Sequence, residues 1–283
     1  MKDFRGRVSV VTGAASGIGK ALSAALAVRG SHVVLADIDT AGVEATAKEL
    51  HAANPAADFL PVTADVADES SVAALADAAF DRFGAVHVLC NNAGISSAGA
   101  IWEGPIADWS RVWSVNLMGA VHGCRAFLPR MIVDGSEGHV INVASMAGLH
   151  AVEFKAPYTA AKHALVGLSQ CLRAELAAVD ARVRVSVVCP GPVSTPIMVK
   201  QEGHYAGREV LPDAAQRVLD ELRATVDKGM PAAYAAALIL DAVQSERFWV
   251  FPNAEPYLQR VAREHNELQE DGMVDTAWTP VQP

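Results

Sequence analysis

Cysteine is scarce: Cys90, Cys124, Cys171 and Cys189 are the four thiols of a 283-residue chain. They stand far apart, with no spacing typical of a zinc site or a redox motif. Each has apolar neighbours, so all are expected to be small core side chains in a reducing compartment. Aromatic residues make up only 6%, and Trp102, Trp109 and Trp113 are expected to pack a helix rather than stack a ligand. The histidines have no ligand spacing, so no metal site is expected; His32, His51 and His139 read as surface residues. No apolar run reaches transmembrane length, and the N-terminal stretch lacks a signal-peptide core. A cytoplasmic location away from membranes is therefore expected. Long charge runs are missing too. The net charge of −9 and the pI near 5.4 give a field that disfavours nucleic acid. There is no linker, internal repeat or low-complexity tract, so residues 1–283 read as a single domain.

What is present is alternation. Short β-branched runs ("RVSVVTG", "HVVLAD", "DFLPVTAD", "VHVLCNN", "GHVINVAS", "RVRVSVVCP") alternate with Ala-rich helical stretches, and "RFWVF" reads as a last strand. Helices are expected at Ile18–Arg29, about Ala41–Ala53, Ser70–Phe83, about Ile106–Val133 and about Pro157–Val179. Nearly continuous apolar strands between helices imply a parallel sheet covered on both faces. Right-handed crossovers make it an α/β, Rossmann-like, doubly wound sheet in three layers. Ligands then bind beyond the carboxyl ends of the strands, so residues just after each strand carry the information.

After the first strand comes "TGAASGIGK". Its glycines let a backbone approach a phosphate, and the helix that starts there offers free N–H groups to a pyrophosphate. The spacing G-x3-G-x-G differs from the G-x-G-x-x-G fingerprint. Asp37 follows the second strand, where such folds place an acid on the adenosine ribose; it would repel the extra phosphate of NADP. No arginine or lysine is nearby to receive that phosphate, and position 16 is Ser, which favours NAD. Asp39 and Thr40 are better placed than Asp37 to cap the next helix. The "NNAG" stretch after the fourth strand either braces its loop or touches a cofactor.

Taken in order, "TGAASGIG", "NNAG", a helical Asn116, Ser145, "YTAAK" and "PGPVST" resemble the short-chain dehydrogenase/reductase family, from about Arg7 to Thr195. The resemblance implies a nicotinamide cofactor and hydride transfer between it and an alcohol or carbonyl. It assigns Gly13, Ser16, Gly17, Ile18 and Gly19 to the pyrophosphate loop, Asp37 and Ile38 to the adenosine ribose, and Asp65 and Val66 to the adenine. Asn91, Ala93 and Gly94 would form the cofactor floor. Pro190, Gly191, Val193 and Thr195 would meet the nicotinamide end. Asn116, Ser145, Tyr158 and Lys162 look like the catalytic tetrad, with Tyr158 and Lys162 also on the cofactor and Asn116 holding a water beside Lys162. A homodimer or homotetramer is expected, although the polar helical C-terminus departs from the common family pattern.

The chemistry can be read from the residues. An alcohol gives up a hydride only as its O–H proton leaves, so a base and an oxygen-holding donor are needed. Tyr158 and Lys162 are i and i+4 and share one helical face. An ammonium ~5 Å away favours the phenolate by ~3 kcal/mol at an effective dielectric of ~20, most of the ~4 kcal/mol needed to reach neutrality. Ser145 would steady the developing charge on the substrate oxygen. His150 and Phe154, between Ser145 and Tyr158, are candidate substrate contacts. Residues 194–230, with Met198, Tyr205 and Leu211, are expected to cover the site, and 252–283 to form a C-terminal extension. Two other functions fit the same residues: an idle NAD-binding sensor or scaffold, and an epimerase or dehydratase of the same family.

Overall fold

The computed structural model describes residues 1–205, 212–255 and 257–271. Strand β1 (Val8–Thr12) leads into helix α1 (Gly17–Val28), then β2 (His32–Asp37), α2 (Thr40–Ala53), β3 (Phe59–Thr63) and α3 (Glu69–Phe83). Next come β4 (Val88–Asn91), α4 (Ile106–Trp113), a π-helical turn (Ser114–Met118), α5 (Gly119–Asp134) and β5 (Gly138–Val143). A 3-10 turn (Met146–Gly148), α6 (Ala156–Ala178) and β6 (Val183–Val188) follow. The rest comprises β7 (Val193–Ser194), α7 (Ile197–Tyr205), α8 (Asp213–Asp227), β8 (Met230–Pro231), α9 (Ala232–Gln244), β9 (Trp249–Val250) and α10 (Tyr257–Asp271). Leu211 of the expected cover, and residues 256 and 272–283 of the C-terminal extension, lie outside the described residues.

The main sheet has the order β3-β2-β1-β4-β5-β6-β9, with every neighbouring pair parallel. Alternate residues of each strand face opposite layers. Val11, Val33, Leu35, Cys90 and Ile141 pack against Leu22 and Leu26 of α1, Val43 and Leu50 of α2, and Ile239 and Leu240 of α9. Val10, Val34, Leu89 and Val140 pack on the other face against Leu75 and Phe80 of α3, Phe127 and Met131 of α5, and Leu172 of α6. The chain reverses its winding between β1 and β4, which opens a crevice at their carboxyl ends. No helix among the described residues is long and apolar enough to cross a membrane.

Four expectations need correction. The helix expected over Ile106–Val133 is interrupted by the π turn at Ser114–Met118. The extra residue per turn swings Asn116 inward, where its carboxamide satisfies the backbone of Ile95. His139 is fully buried in β5, because both faces of that strand are covered. Cys171 is exposed, being on the outer side of α6. Trp102 packs no helix: it is 77% exposed in the turn before α4.

Candidate active site

A cleft of about 800 Å³ opens at the winding reversal. Gly13, Ser16, Gly17 and Ile18 form one wall; Gly13 and Gly17 take the left-handed backbone that glycine tolerates, φ 71° and 55°. A side chain at Gly13 would meet Asn92 Nδ2 at 2.8 Å and Ala93 Cα at 2.9 Å. Gly19 lies outside the lining; a side chain there would collide with the Gly13 carbonyl, so this glycine serves loop packing. Helix α1 has no side-chain cap and no acid in its first turn. Its leading N–H groups thus stay available to an anion.

Asp37 and Ile38, then Asp65 and Val66, line the end of the cleft above β2 and β3. Asp37 is oriented by two backbone donors, Ala15 N–H at 2.9 Å and Asp39 N–H at 3.1 Å. Asp39 caps α2 by accepting from Gly42 N–H. The local sequence hid one cation: α7 carries Lys200 to Ser16, where its ammonium donates to Oγ at 3.0 Å. The expectation that no lysine stands near this end of the cofactor site is therefore corrected.

The floor is made by Asn92, Ala93 and Gly94 rather than by Asn91. Asn91 points into the protein and donates to Asn142 Oδ1 at 2.9 Å; Asn142 donates to Ser169 Oγ at 3.0 Å, and Ser169 to the Leu165 carbonyl at 2.7 Å. This buried chain ties β4 and β5 to α6, the helix that carries Tyr158 and Lys162. Alternation decides which asparagine faces the cleft, and Asn92 braces the glycine loop through Nδ2 to the Thr12 carbonyl at 2.8 Å.

Ser145, Tyr158 and Lys162 line the middle of the same cleft. Ser145 stands two residues past β5 in extended backbone, at the start of the 3-10 turn, and its Oγ accepts from Ala147 N–H at 3.1 Å. Lys162 donates to the Val143 carbonyl at 2.8 Å and lies 5.7 Å from the Tyr158 ring centre. Burial lowers Lys162 to about 8. Burial also raises Tyr158 above its usual value, and the hydrogen bond with Ser145 opposes the rise. Burial thus acts on both groups against their charged forms and opposes the stabilisation of the phenolate expected from Lys162.

Asn116 stands behind the wall. It accepts from Ile95 N–H and donates to the Ile95 carbonyl, both at 2.8 Å. A side chain at Gly94 would lie 3.2 Å from its Oδ1 and 3.5 Å from Lys162 Nζ. Gly94 therefore lets the amide and the ammonium converge.

Pro190, Gly191, Val193 and Thr195 line the far end. A side chain at Gly191 would strike the Asn253 carbonyl, so the segment after β9 fixes this glycine. His150 lines the cleft and stacks on Tyr257 of α10, ring centres 5.6 Å apart. Phe154 is not among the lining residues. Its left-handed backbone, φ 56°, makes the turn before Lys155, which does line the cleft. Arg111, Lys155, Met198, Lys200, Gln201 and Tyr257 were not legible as site residues except for Met198, named only as part of the cover. Lys155 had a signal, a charge three residues before Tyr158 in a small, apolar run. Among the described residues no three His, Cys, Asp or Glu side chains gather as a metal site.

A family model described as short chain dehydrogenase matches residues 7–206. The 1-deoxy-11-beta-hydroxypentalenate dehydrogenase of Streptomyces avermitilis is 37% identical over 273 residues, 96% of this chain and 93% of that one. Among solved structures, a short chain dehydrogenase/reductase from Burkholderia phymatum in complex with NAD superposes with a TM-score of 0.90 at 33% identity, covering 100% of both chains. The L-sorbose reductase of Gluconobacter frateurii, complexed with NADPH and L-sorbose, gives a TM-score of 0.76 at 25% identity, over 89% of this chain and 97% of that one.

Proposed function

Because the chain belongs to the short-chain dehydrogenase family, a family of nicotinamide-dependent oxidoreductases, we propose that it transfers a hydride between NAD(H) and a secondary alcohol or ketone. The observation that carries this reading is the meeting, in one cleft, of an uncapped glycine-loop helix with Ser145, Tyr158 and Lys162. The residues fit a dinucleotide. The α1 N–H groups would hold its pyrophosphate, Asp37 its adenosine ribose, and Asp65 and Val66 its adenine. Pro190 to Thr195, at the far end of the cleft, would hold the nicotinamide end. The nicotinamide would supply or accept the hydride and, when oxidised, would carry a positive charge.

The chain's own groups manage the proton. Ser145 Oγ holds the substrate oxygen, and Tyr158 takes the alcohol proton in oxidation or returns it in reduction. Lys162 lies near the tyrosine ring and would hold the nicotinamide ribose. Its charge, 5.7 Å from the ring centre, favours the phenolate and so opposes the burial that raises Tyr158. Asn116 keeps the Ile95 backbone and Gly94 in place, so the ammonium has one position.

The NAD preference rests on Asp37, with Lys200 at Ser16 as the competing influence. The protein is expected to be cytoplasmic and to assemble as a homodimer or homotetramer. Incubation with NAD or NADP and a panel of secondary alcohols, read as NAD(P)H absorbance, tests the proposal. Net NADH is expected to form, and Tyr158→Phe is expected to lower turnover at least 1,000-fold, in the range expected for loss of an acid–base group. Unchanged turnover in that variant would refute the mechanism. Cofactor binding without net transfer would favour a sensor, or an epimerase or dehydratase. Equal use of NADP would remove the role given to Asp37.

A further inference from the structure

Charge is not evenly spread along the cleft. Its two carboxylates, Asp37 at the end of β2 and Asp65 after β3, stand at the adenosine end. The other charged lining residues, Arg111, Lys155, Lys162 and Lys200, are all cations. Lys162 belongs to the proton machinery, but Lys155 has no part in the mechanism.

Lys155 is only 5% exposed. Its ammonium donates to Ser96 Oγ at 2.7 Å, to Gln201 Oε1 at 2.7 Å and to the Ser97 carbonyl at 3.1 Å, with Met198 Sδ at 3.8 Å. All are neutral, and no carboxylate among the described residues pairs with it. Burial draws its pKa down to about 7, so the site is short of negative charge. Packing alone would favour an apolar residue here, since a buried charge without a counter-charge is costly. Ser96, Met198 and Gln201 line the cleft themselves, which puts the ammonium in its wall rather than behind it. Lys155 is the residue just before α6, three positions ahead of Tyr158, and both line the cleft. Arg111, in the same cleft, has a buried Nε with no hydrogen-bond partner.

We propose that Lys155 is the recognition point for a carboxylate on the substrate, and that the preferred substrates are hydroxy or oxo carboxylic acids. The inference rests on the hydride-transfer reading above. An incoming carboxylate takes the place of the Gln201 carbonyl oxygen on the ammonium. Gln201 can then turn its NH2 toward the acid, since an amide presents a donor at one end and an acceptor at the other. Ser96 and the Ser97 carbonyl keep the other two N–H groups, and the acid supplies the missing charge.

The test compares 3-hydroxycyclohexanecarboxylate, its methyl ester and cyclohexanol as substrates with NAD. In parallel, calorimetry measures cyclohexanecarboxylate and cyclohexanecarboxamide binding to the protein loaded with NADH. The acid is expected to exceed its ester at least tenfold in kcat/KM, because a site built for a polar group discriminates against its absence. The carboxylate is expected to bind tighter than the carboxamide. Lys155→Met should collapse both ratios toward one, while Lys155→Arg should retain a preference for the acid. Equal kcat/KM for acid and ester in the wild-type protein would overturn the proposal. So would a Lys155→Met variant that loses both substrates in equal proportion, since the lysine would then only anchor α7. Equal binding of the two calorimetric probes, or binding of neither, would overturn it as well. Should Lys155→Met fail to fold, the wild-type ratios and Lys155→Arg still decide. If no alcohol is oxidised at all, the hydride-transfer reading fails, and the calorimetric pair judges the carboxylate site separately.

Discussion

His139 illustrates how a single side chain can carry a pH dependence. Ser186 gives its proton to the Arg247 carbonyl at 2.6 Å, so its oxygen accepts from His139 Nε2–H at 2.8 Å. Nδ1 is then left as a buried acceptor without a partner. Burial lowers the histidine to about 3, with smaller contributions from the N-terminal amine and Arg184. The folded pKa lies below the unfolded value near 6.5. The neutral form is the one the fold accepts: its stabilising contribution is full above about pH 6.5 and is lost as the pH falls toward 3. Between pH 6.5 and 5 the loss through this one group is about 2 kcal/mol. Urea unfolding at both pH values is expected to show that drop, and His139→Leu should remove most of it. A variant with the same acid sensitivity as the wild type would show that other groups carry the effect.

At the level of elements, helix α6, which carries Tyr158 and Lys162, is positioned by a buried polar chain rather than by apolar packing alone. Asn91, Asn142, Ser169 and the Leu165 carbonyl link β4, β5 and α6 in sequence. Room for Asn91 exists because position 123 of α5 has no side chain; a Cβ there would collide with Asn91 Oδ1. Gly123→Ala is therefore expected to destabilise the protein by about 1–3 kcal/mol, the usual range for overpacking. Chemical denaturation of Gly123→Ala, Asn91→Ala and the double variant closes the cycle. If the clash is the cause, adding Gly123→Ala to Asn91→Ala costs markedly less than adding it to the wild type. Full additivity would place the strain elsewhere in α5. The alternating apolar strands and the Asp39 cap were legible in sequence, because they depend on neighbours within a few residues. The π turn at Asn116 was not, since it answers to Ile95, 21 residues away.

Across the whole molecule, the end of the cleft near His150 is walled by parts remote in sequence. Tyr257 of α10 stacks on His150, and Glu264 of the same helix accepts from Ala151 N–H at 3.3 Å. The apolar side of this helix, Leu258 and Val261, packs on the cluster formed by Met146, Leu165 and Val187. Tyr257→Ala removes the stack and one cleft wall. It is expected to raise KM for the alcohol about tenfold, consistent with loss of a buried aromatic contact, while NADH affinity stays within about twofold. Steady-state kinetics with fluorescence titration of NADH separates the two. A matching loss of NADH affinity would mean that α10 supports the cofactor end as well.

By itself the sequence determined the alternation of strands and helices, the parallel sheet, the glycine loop, Asp37 after β2 and the pairing of Tyr158 with Lys162 on one helical face. All of these follow from local periodicity and from the short reach of backbone geometry. Tertiary structure decided the rest: that Asn92 and not Asn91 faces the cleft, that Lys200 reaches Ser16, that burial raises Tyr158 and lowers Lys162, and that Lys155 stands in the wall with no carboxylate partner among the described residues. Each depends on which distant segments enclose a group. Desolvation and partner choice are set by that enclosure, and the order of residues along the chain does not specify it.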